Sequence, residues 1–305
     1  MSRLVQQLVN GTVLGATIGL IALGYTMVYG IIQLINFAHG EIFMIGSYAG
    51  LAAYTYLLPD SVTSHAWITL PVVLLAAAAA SSAVAVLAER LAYRPLRNAP
   101  RLAPLITAIG VSIALQEVVR LYYPGAKRQL SFPRIVSDGG FKVGDVAIPW
   151  TSVFAVVSAV VLMVALEAFV SRTRLGRAMR ATSQDPETAR LMGINTDKVI
   201  VIAFALGGAL AGVAGVIQGI RFVSLDFHIG FVAGIKAFTA AVLGGIGNIR
   251  GAMLGGLVIG LVEALATEYL PQGAAWKDVW AFVVLIVVLT LRPQGLLGEQ
   301  VAVRA

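Results

Sequence analysis

Polar and ionisable residues inside long apolar stretches are the first candidates for function in this sequence. Asn36, His39 and Glu41 lie where 37 residues without Asp, Glu, Lys or Arg, residues 4–40, come to an end. Burial of such groups in lipid is costly, so we expect them to line or gate a path for a solute. The alternative is a helix cap at a membrane interface, where the helix dipole would stabilise the Glu41 carboxylate.

A glycine-rich stretch, residues 241–251, provides the second group of candidates. A helix loses about 1 kcal/mol for each glycine in its interior, so the four glycines here predict a tight turn or a helix break. Gly245 and Asn248 are further candidates for the solute path. Lys236 and Glu263 lie in apolar surroundings on either side, and we expect them to pair or to face a polar cavity.

Several missing patterns exclude other chemistry. No Gly-Lys dipeptide occurs, so the chain has no phosphate-binding loop of the G-x-x-x-x-G-K-[ST] type and cannot bind ATP in that way. The three histidines at positions 39, 65 and 228 lack the spacing of a metal site, and the absence of cysteine excludes thiolate ligands. We therefore predict no catalytic residue, no metal and no cofactor bound by this chain.

Membrane helices must position the candidate residues. Only 12% of the residues are charged, against about 25% in a soluble domain. Charge-free runs at 42–59, 61–88 and 199–220 are comparable to the roughly 20 apolar residues that cross a bilayer, and they lack the alternation of barrel strands. We predict an all-α fold, a polytopic transmembrane helical bundle with about eight to ten membrane elements, some broken or short. It forms a single domain, residues 1–305. The predicted helices cover residues 8–31, 41–58, 67–88, 102–119, 151–170, 198–220, 232–245, 251–269 and 275–291.

Glycines spaced by three or four residues are expected to let these helices approach closely. They serve either general packing within the bundle or a subunit interface. The glycines concerned are Gly11, Gly15 and Gly19, then Gly208, Gly212, Gly215 and Gly219, and finally Gly251, Gly255, Gly256 and Gly260.

The basic residues predict the orientation. The 17 Arg and 5 Lys gather between the apolar runs, which is typical of membrane topology and contact with lipid headgroups rather than of nucleic-acid binding. Arginine clusters at 89–101 and 171–197 are expected to face the cytoplasm, and 120–150 is expected to form a small extended flap in the periplasm. Nine crossings would place the N-terminus outside and the C-terminus in the cytoplasm.

The cytoplasmic loop 171–197 contains the most specific local pattern. Asp185 is a good helix cap, and Gly193 provides the stop. The resulting helix of about seven residues is too short to be stable alone, so we expect a docking partner. The alternative is a helix that lies on anionic headgroups. Apolar surface is expected from Ala189, Leu191 and Met192, with Arg177 among the surrounding basic residues.

Several short stretches together resemble the LivH-type permeases of branched-chain amino acid ABC transporters. They are GIIQLINFAHGE at 30–41, ERLAYRPLR at 89–97, LITAIGVS at 105–112, MGIN at 192–195 and RPQGLL at 292–297. Their order and spacing make the set specific, and the likeness extends from about residue 20 to residue 298, which is nearly the whole chain.

The resemblance implies an importer subunit that moves leucine, isoleucine or valine across the bacterial inner membrane. It implies a homologous LivM-type permease as partner, two ATPase subunits that carry ATP and Mg, and a periplasmic amino-acid-binding protein. The loop around 177–195 then looks like the coupling helix that docks on an ATPase. Three alternatives remain: a permease of this family for an amide, urea or another amino acid, an ion-coupled secondary transporter, and a passive channel.

Overall fold

The computed structural model describes residues 2–34, 36–97, 99–100, 102–137 and 139–298, and most of these residues are helical. The helices are α1 (Ser2–Ile32), α2 (His39–Ala52), α3 (Asp60–Thr63), α4 (Ala66–Ala88), α5 (Leu102–Tyr122), α6 (Trp150–Arg172), α7 (Arg174–Gln184), α8 (Pro186–Leu191), α9 (Thr196–Phe222), α10 (Ile229–Gly244), α11 (Ile249–Tyr269) and α12 (Gly273–Leu291). Four short strands lie between them: β1 (Leu130–Ser131), β2 (Gly140–Val143), β3 (Val146–Pro149) and β4 (Ser224–Leu225).

The predicted all-helical membrane bundle is confirmed. Among the described residues, seven helices are long and apolar enough to cross a membrane: α1, α4 with its extension to Leu96, α5, α6, α9, α11 and α12. The two further predicted elements, α2 and α10, are shorter than these and are also present. The predicted break at 241–251 is correct, because α10 ends at Gly244 and α11 begins at Ile249.

Two local features differ from the sequence-based prediction, and a third adds detail to it. Helices α2 and α4 continue as π-helical turns, Ala53–Leu57 and Glu89–Tyr93. Residues 174–184, expected as loop, form α7, because Thr173 caps the first turn by accepting a bond from the Gly176 N–H at 2.9 Å. The expected flap contains the antiparallel hairpin β2–β3, and its strand β1 pairs with β4.

The glycine stripes of α1 and α11 face each other inside the chain. A Cβ atom added to Gly11 would lie 2.9 Å from the Leu261 Cα atom, and one on Gly15 would lie 2.6 Å from the Leu257 Cα atom. From the other side, Gly256 contacts the backbone of Gly19 and Gly15. The stripe therefore permits backbone-to-backbone packing of two helices of the same chain.

The glycines of α9 are also internal. Gly208 and Gly212 contact α4 at Ser81 and Ala77, and Gly215 contacts α2 at Phe43. Both stripes therefore serve the packing of this bundle, which was one of the two interpretations of the sequence.

Replacing Gly256 with valine is expected to destabilise the bundle. A side chain there would overlap the Gly19 backbone, and such overpacking costs about 1–3 kcal/mol. The measurement is the thermal midpoint of the purified protein. Gly110→Ala is the matched control, because nothing lies within 4 Å of the added carbon. Equal midpoints for the two variants would contradict the assigned packing.

Contacts between loops show which of them lie at the same end of the bundle. At one end, the Gln6 side chain exchanges hydrogen bonds with the Ala147 backbone, and β1 pairs with β4. At the other end, Arg94 of the first basic loop binds Asp197, which directly follows the second basic loop. Both basic loops therefore lie at one end, opposite the hairpin.

Candidate functional site

The break between α1 and α2 lies in the interior of the protein. After α1 the backbone takes a left-handed conformation at Gln33, with φ of 52°, and α2 begins at His39 without a side-chain cap. Gly40 packs against the backbone of Gly230 and Gly234, at the start of α10. The absence of a side chain at Gly40 therefore allows α2 to begin against α10.

Asn36 and His39 are both buried at this break. The Asn36 Oδ1 atom accepts a hydrogen bond of 2.6 Å from the Tyr93 hydroxyl, which ties the break to the end of α4. The His39 ring packs edge-on against Tyr25 of α1, with 4.7 Å between ring centroids, and also contacts Gly24. These contacts place two of the predicted residues against α1 and α4.

The Glu41 carboxylate is also buried, with 1% of the residue exposed. Its Oε1 atom accepts a hydrogen bond of 3.2 Å from the Ser112 hydroxyl on α5. Glu41 does not cap the helix, because the cap position is Ala38 and Glu41 is buried, but it lies in the first turn, where the helix dipole favours a carboxylate as the alternative interpretation stated. A carboxylate in this position is held by tertiary contacts.

Two buried polar atoms at the break, Asn36 Nδ2 and Glu41 Oε2, have no hydrogen-bond partner among the described residues. Buried polar groups are nearly always paired, so a concentration of unpaired ones indicates a place where water, a solute or a second conformation supplies the partners. We call Tyr25, Asn36, His39, Glu41 and Ser112 the polar core cluster.

Gly245 and Asn248 occupy the turn between α10 and α11. Gly245 has a φ of 103°, which favours glycine, and it packs against Gly298. Asn248 caps α11 by accepting a bond from the Gly251 N–H at 3.0 Å, and its Nδ2 atom donates to the Leu297 carbonyl. These contacts give both residues a structural role at the turn.

The short helix of the second basic loop has the predicted caps. The Asp185 carboxylate accepts hydrogen bonds from the Glu187 and Thr188 N–H groups at 2.9 and 3.1 Å. The Thr188 hydroxyl, which also donates to it, holds the pKa of Asp185 below its usual range. At the other end Gly193 adopts a φ of 82°, and the Ile194 N–H bonds back to the Ala189 carbonyl. This is the Schellman stop that the sequence predicted.

The side chains of this helix divide into two sets. Leu191 and Met192 are 88% and 77% exposed, and Arg177 on α7 is exposed as well. Ala189, expected on the apolar surface, is buried. That expectation is wrong, because Ala189 lies on the face of the helix that turns toward the bundle. The outward apolar surface therefore comes from Leu191 and Met192.

An ion-pair cluster, not apparent in the sequence, joins the two basic loops. Arg97 binds both Asp197, at 2.6 Å, and the fully buried Glu89 at the end of α4. The Arg190 side chain donates to the Thr196 hydroxyl at 2.8 Å, which holds α8 to the start of α9. The short helix is thus connected mechanically to α4 and α9.

Lys236 and Glu263 form a buried ion pair, as one of the two sequence-based expectations stated. The Lys236 Nζ atom lies 2.9 Å from both carboxylate oxygens of Glu263. The other expectation is also confirmed, since both residues line a cavity. Tyr25 and Ser112 of the polar core cluster, and Tyr93 beside it, were missed, because a neutral polar residue in an apolar helix gives no signal of its partner.

A bundle of apolar helices with buried polar groups defines the class of multi-pass membrane proteins. Residues 7–289 match the family described as "Branched-chain amino acid transport system / permease component", and the chain belongs to this family. It is 48% identical to the high-affinity branched-chain amino acid transport system permease protein BraD of Pseudomonas aeruginosa, over 96% of this chain and 95% of that protein. It is 46% identical to the corresponding permease protein LivH of Escherichia coli K12, with the same coverage.

Among solved structures, this chain is similar to a protein described as a metal-chelate type ABC transporter in an inward-facing conformation. The match covers 93% of this chain and 85% of that one. The TM-score is 0.47 and the identity is 15%.

Membership of this family confirms the prediction of a LivH-type permease. The chain is a multi-pass permease component of a transport system, and it is not an enzyme.

Proposed function

We propose that this chain is the LivH-type half of a permease pair that imports leucine, isoleucine and valine across the bacterial inner membrane. The other half is a homologous LivM-type permease. Two ATPase subunits on the cytoplasmic face bind ATP and Mg, and a periplasmic binding protein delivers the amino acid. The relatives named above, described as high-affinity branched-chain amino acid permeases, support the substrate class.

One observation carries the link to the ATPase subunits. A short, doubly capped helix exposes Leu191 and Met192 at the end of the bundle that also contains both basic loops. Basic loops favour the cytoplasmic side of the membrane. Exposed apolar side chains on a surface that faces water favour contact with a protein partner. Loop 171–197 is therefore assigned as the coupling loop, with Arg177, Asp185 and Gly193 shaping it.

The same orientation assigns the remaining parts. Residues 1–305 form one permease domain with the N-terminus outside and the C-terminus in the cytoplasm. Loop 120–150 with its hairpin faces the periplasmic binding protein. The substrate path includes Asn36, His39 and Glu41 of the polar core cluster, and the turn with Gly245 and Asn248 lies near its cytoplasmic end.

Reconstitution tests this function directly. The chain, co-purified with its neighbouring subunits and placed in proteoliposomes, is expected to take up labelled leucine only with internal ATP and external binding protein. A 100-fold excess of unlabelled valine or isoleucine should compete, whereas urea or acetamide should not. Uptake driven by an ion gradient without ATPase subunits would contradict the proposal, and so would competition by an amide alone.

A further inference from the structure

A cavity of about 360 Å³ lies between α1, α10, α11 and α12, near the loop that joins α9 to α10. The charged part of its lining, which we call the charged wall, comprises Asp226, Lys236, Glu263 and Lys277, and the apolar part includes Ile18 and Val232. Loop residue Asp226 lies at the same end of the bundle as β4 and the hairpin. We call this space the outer cavity.

The charged wall is a chain of ion pairs that bridges three helices. Besides its two contacts with Glu263, the Lys236 Nζ atom lies 2.6 Å from the Asp278 carboxylate on α12. The Lys236 and Glu263 side chains are only 12% and 6% exposed. Ionisable groups at this depth are costly and usually serve a function, so packing alone does not account for them.

One contact in this series of ion pairs is longer than the others. Lys277 Nζ lies 3.6 Å from the nearest Glu263 oxygen, beyond the length of a hydrogen bond. Lys277 can therefore accept a closer partner of negative charge, while the Glu263 carboxylate, although paired with Lys236, retains lone pairs for one further donor. A molecule with both an ammonium and a carboxylate group can satisfy the pair by placing its ammonium on Glu263 and its carboxylate on Lys277.

The overall charge favours the same ligand. Among the charged side chains of the lining, Lys236 and Lys277 balance Asp226 and Glu263, so their formal charges sum to zero. A neutral surrounding with separated charges accepts a zwitterion without a net charge being buried.

The apolar wall supplies the second half of the recognition. Ile18 and Ile21 of α1 and Val232 of α10 offer aliphatic surface to the same cavity. The volume falls in the range of small-molecule pockets, about 300–1,000 Å³. We propose that the outer cavity binds an aliphatic zwitterionic amino acid inside the permease, with its charged groups between Glu263 and Lys277 and its side chain against α1 and α10. This inference rests on the proposed function, since it assigns a place to the substrate of that import.

Two variants, each of which removes one negative charge, test the charged wall in the reconstituted transporter: one lies in the cavity and the other is a control outside it. Glu263→Gln is expected to lower leucine uptake by about tenfold or more, the effect of losing one charge-assisted hydrogen bond, while ATPase stimulation by the loaded binding protein stays within about twofold of wild type. Glu268→Gln is the control on the same helix, because Glu268 is exposed, and it should leave both activities unchanged. Uptake by Glu263→Gln equal to that of the control would overturn the inference.

Thiol protection tests binding without depending on turnover. Because the chain has no cysteine, Val232→Cys introduces a single thiol into this subunit. Its labelling by a membrane-impermeant thiol reagent is followed on this subunit, separated by electrophoresis after reaction of the assembled complex without binding protein. Millimolar leucine should slow this labelling. Leucinol, which lacks the carboxylate, and isocaproate, which lacks the ammonium group, should not.

The control for accessibility is Val5→Cys, in a separate apolar groove between α1 and α6. It should be labelled without protection by leucine. Equal protection by leucinol, or no effect of leucine on Val232→Cys, would overturn the inference. If the wild-type complex shows no ATP-driven leucine uptake, the proposed function is refuted instead. Failure of the cavity inference and failure of the proposed function are therefore distinguishable.

Discussion

Replacing both Leu191 and Met192 with aspartate is expected to abolish ATP-driven uptake while the membrane bundle remains folded. The two side chains are exposed and contribute little to the packing of this chain. Burial of each against a partner is worth about 1.5–3 kcal/mol, so loss of both weakens docking by about 100-fold or more. The measurements are co-purification of the ATPase subunits and leucine uptake in proteoliposomes.

The matched control exchanges the two residues, Leu191→Met with Met192→Leu, which keeps apolar volume. This variant should retain the ATPase subunits and most of the uptake. A charged substitution at Ala189 would be a poorer test, because that residue is buried and its replacement would disturb the loop itself. Normal uptake by the double aspartate variant would show that α8 does not dock on an ATPase.

Replacing Glu41 with glutamine is expected to reduce uptake by at least about tenfold with little change in assembly. Glutamine has nearly the same shape and retains an oxygen for the bond from Ser112. What it removes is the charge at Oε2, the atom without a partner among the described residues. Since hydrogen bonds to charged groups contribute about 1.5–3 kcal/mol, loss of a partner acquired during transport corresponds to about tenfold or more.

The control for this variant is Glu117→Gln, on the same helix as Ser112 but 44% exposed at its side chain. It should take up leucine at the wild-type rate. The uptake rate at saturating binding protein and the thermal midpoint are measured for both variants. If Glu41→Gln lowers the midpoint and the amount of assembled protein rather than the rate, then Glu41 stabilises the bundle and lies outside the substrate path.

The sequence predicted the helices well because their signals are local. Charge-free runs locate the spans, and glycines at 244, 245, 247 and 251 mark the turn between α10 and α11. The caps of α8 were equally predictable, since Asp185 and Gly193 act through the backbone within a few residues. Helix α7 was missed because its arginines resemble those of a cytoplasmic loop, and its cap Thr173 was not recognised.

Side-chain partners were the part that sequence could not provide. Lys236 and Glu263 could be proposed as a pair, because few charges lie at that depth. The bonds from Tyr93 to Asn36 and from Ser112 to Glu41 join residues 57 and 71 positions apart, and many neutral residues in the chain could have competed for these places. Only the packing of the helices selects among them.

Leu296 and Leu297 complete the turn between α10 and α11, which lies much earlier in the sequence. The Leu296 and Leu297 N–H groups donate to the carbonyls of Leu243 and Gly244, at 2.8 and 2.9 Å, and the Leu297 carbonyl accepts from Asn248. During synthesis, the Leu243 and Gly244 carbonyls have no such partners until residues 296 and 297 have been added. A chain that terminates before residue 296 therefore lacks the hydrogen bonds from the Leu296 and Leu297 N–H groups that close this turn.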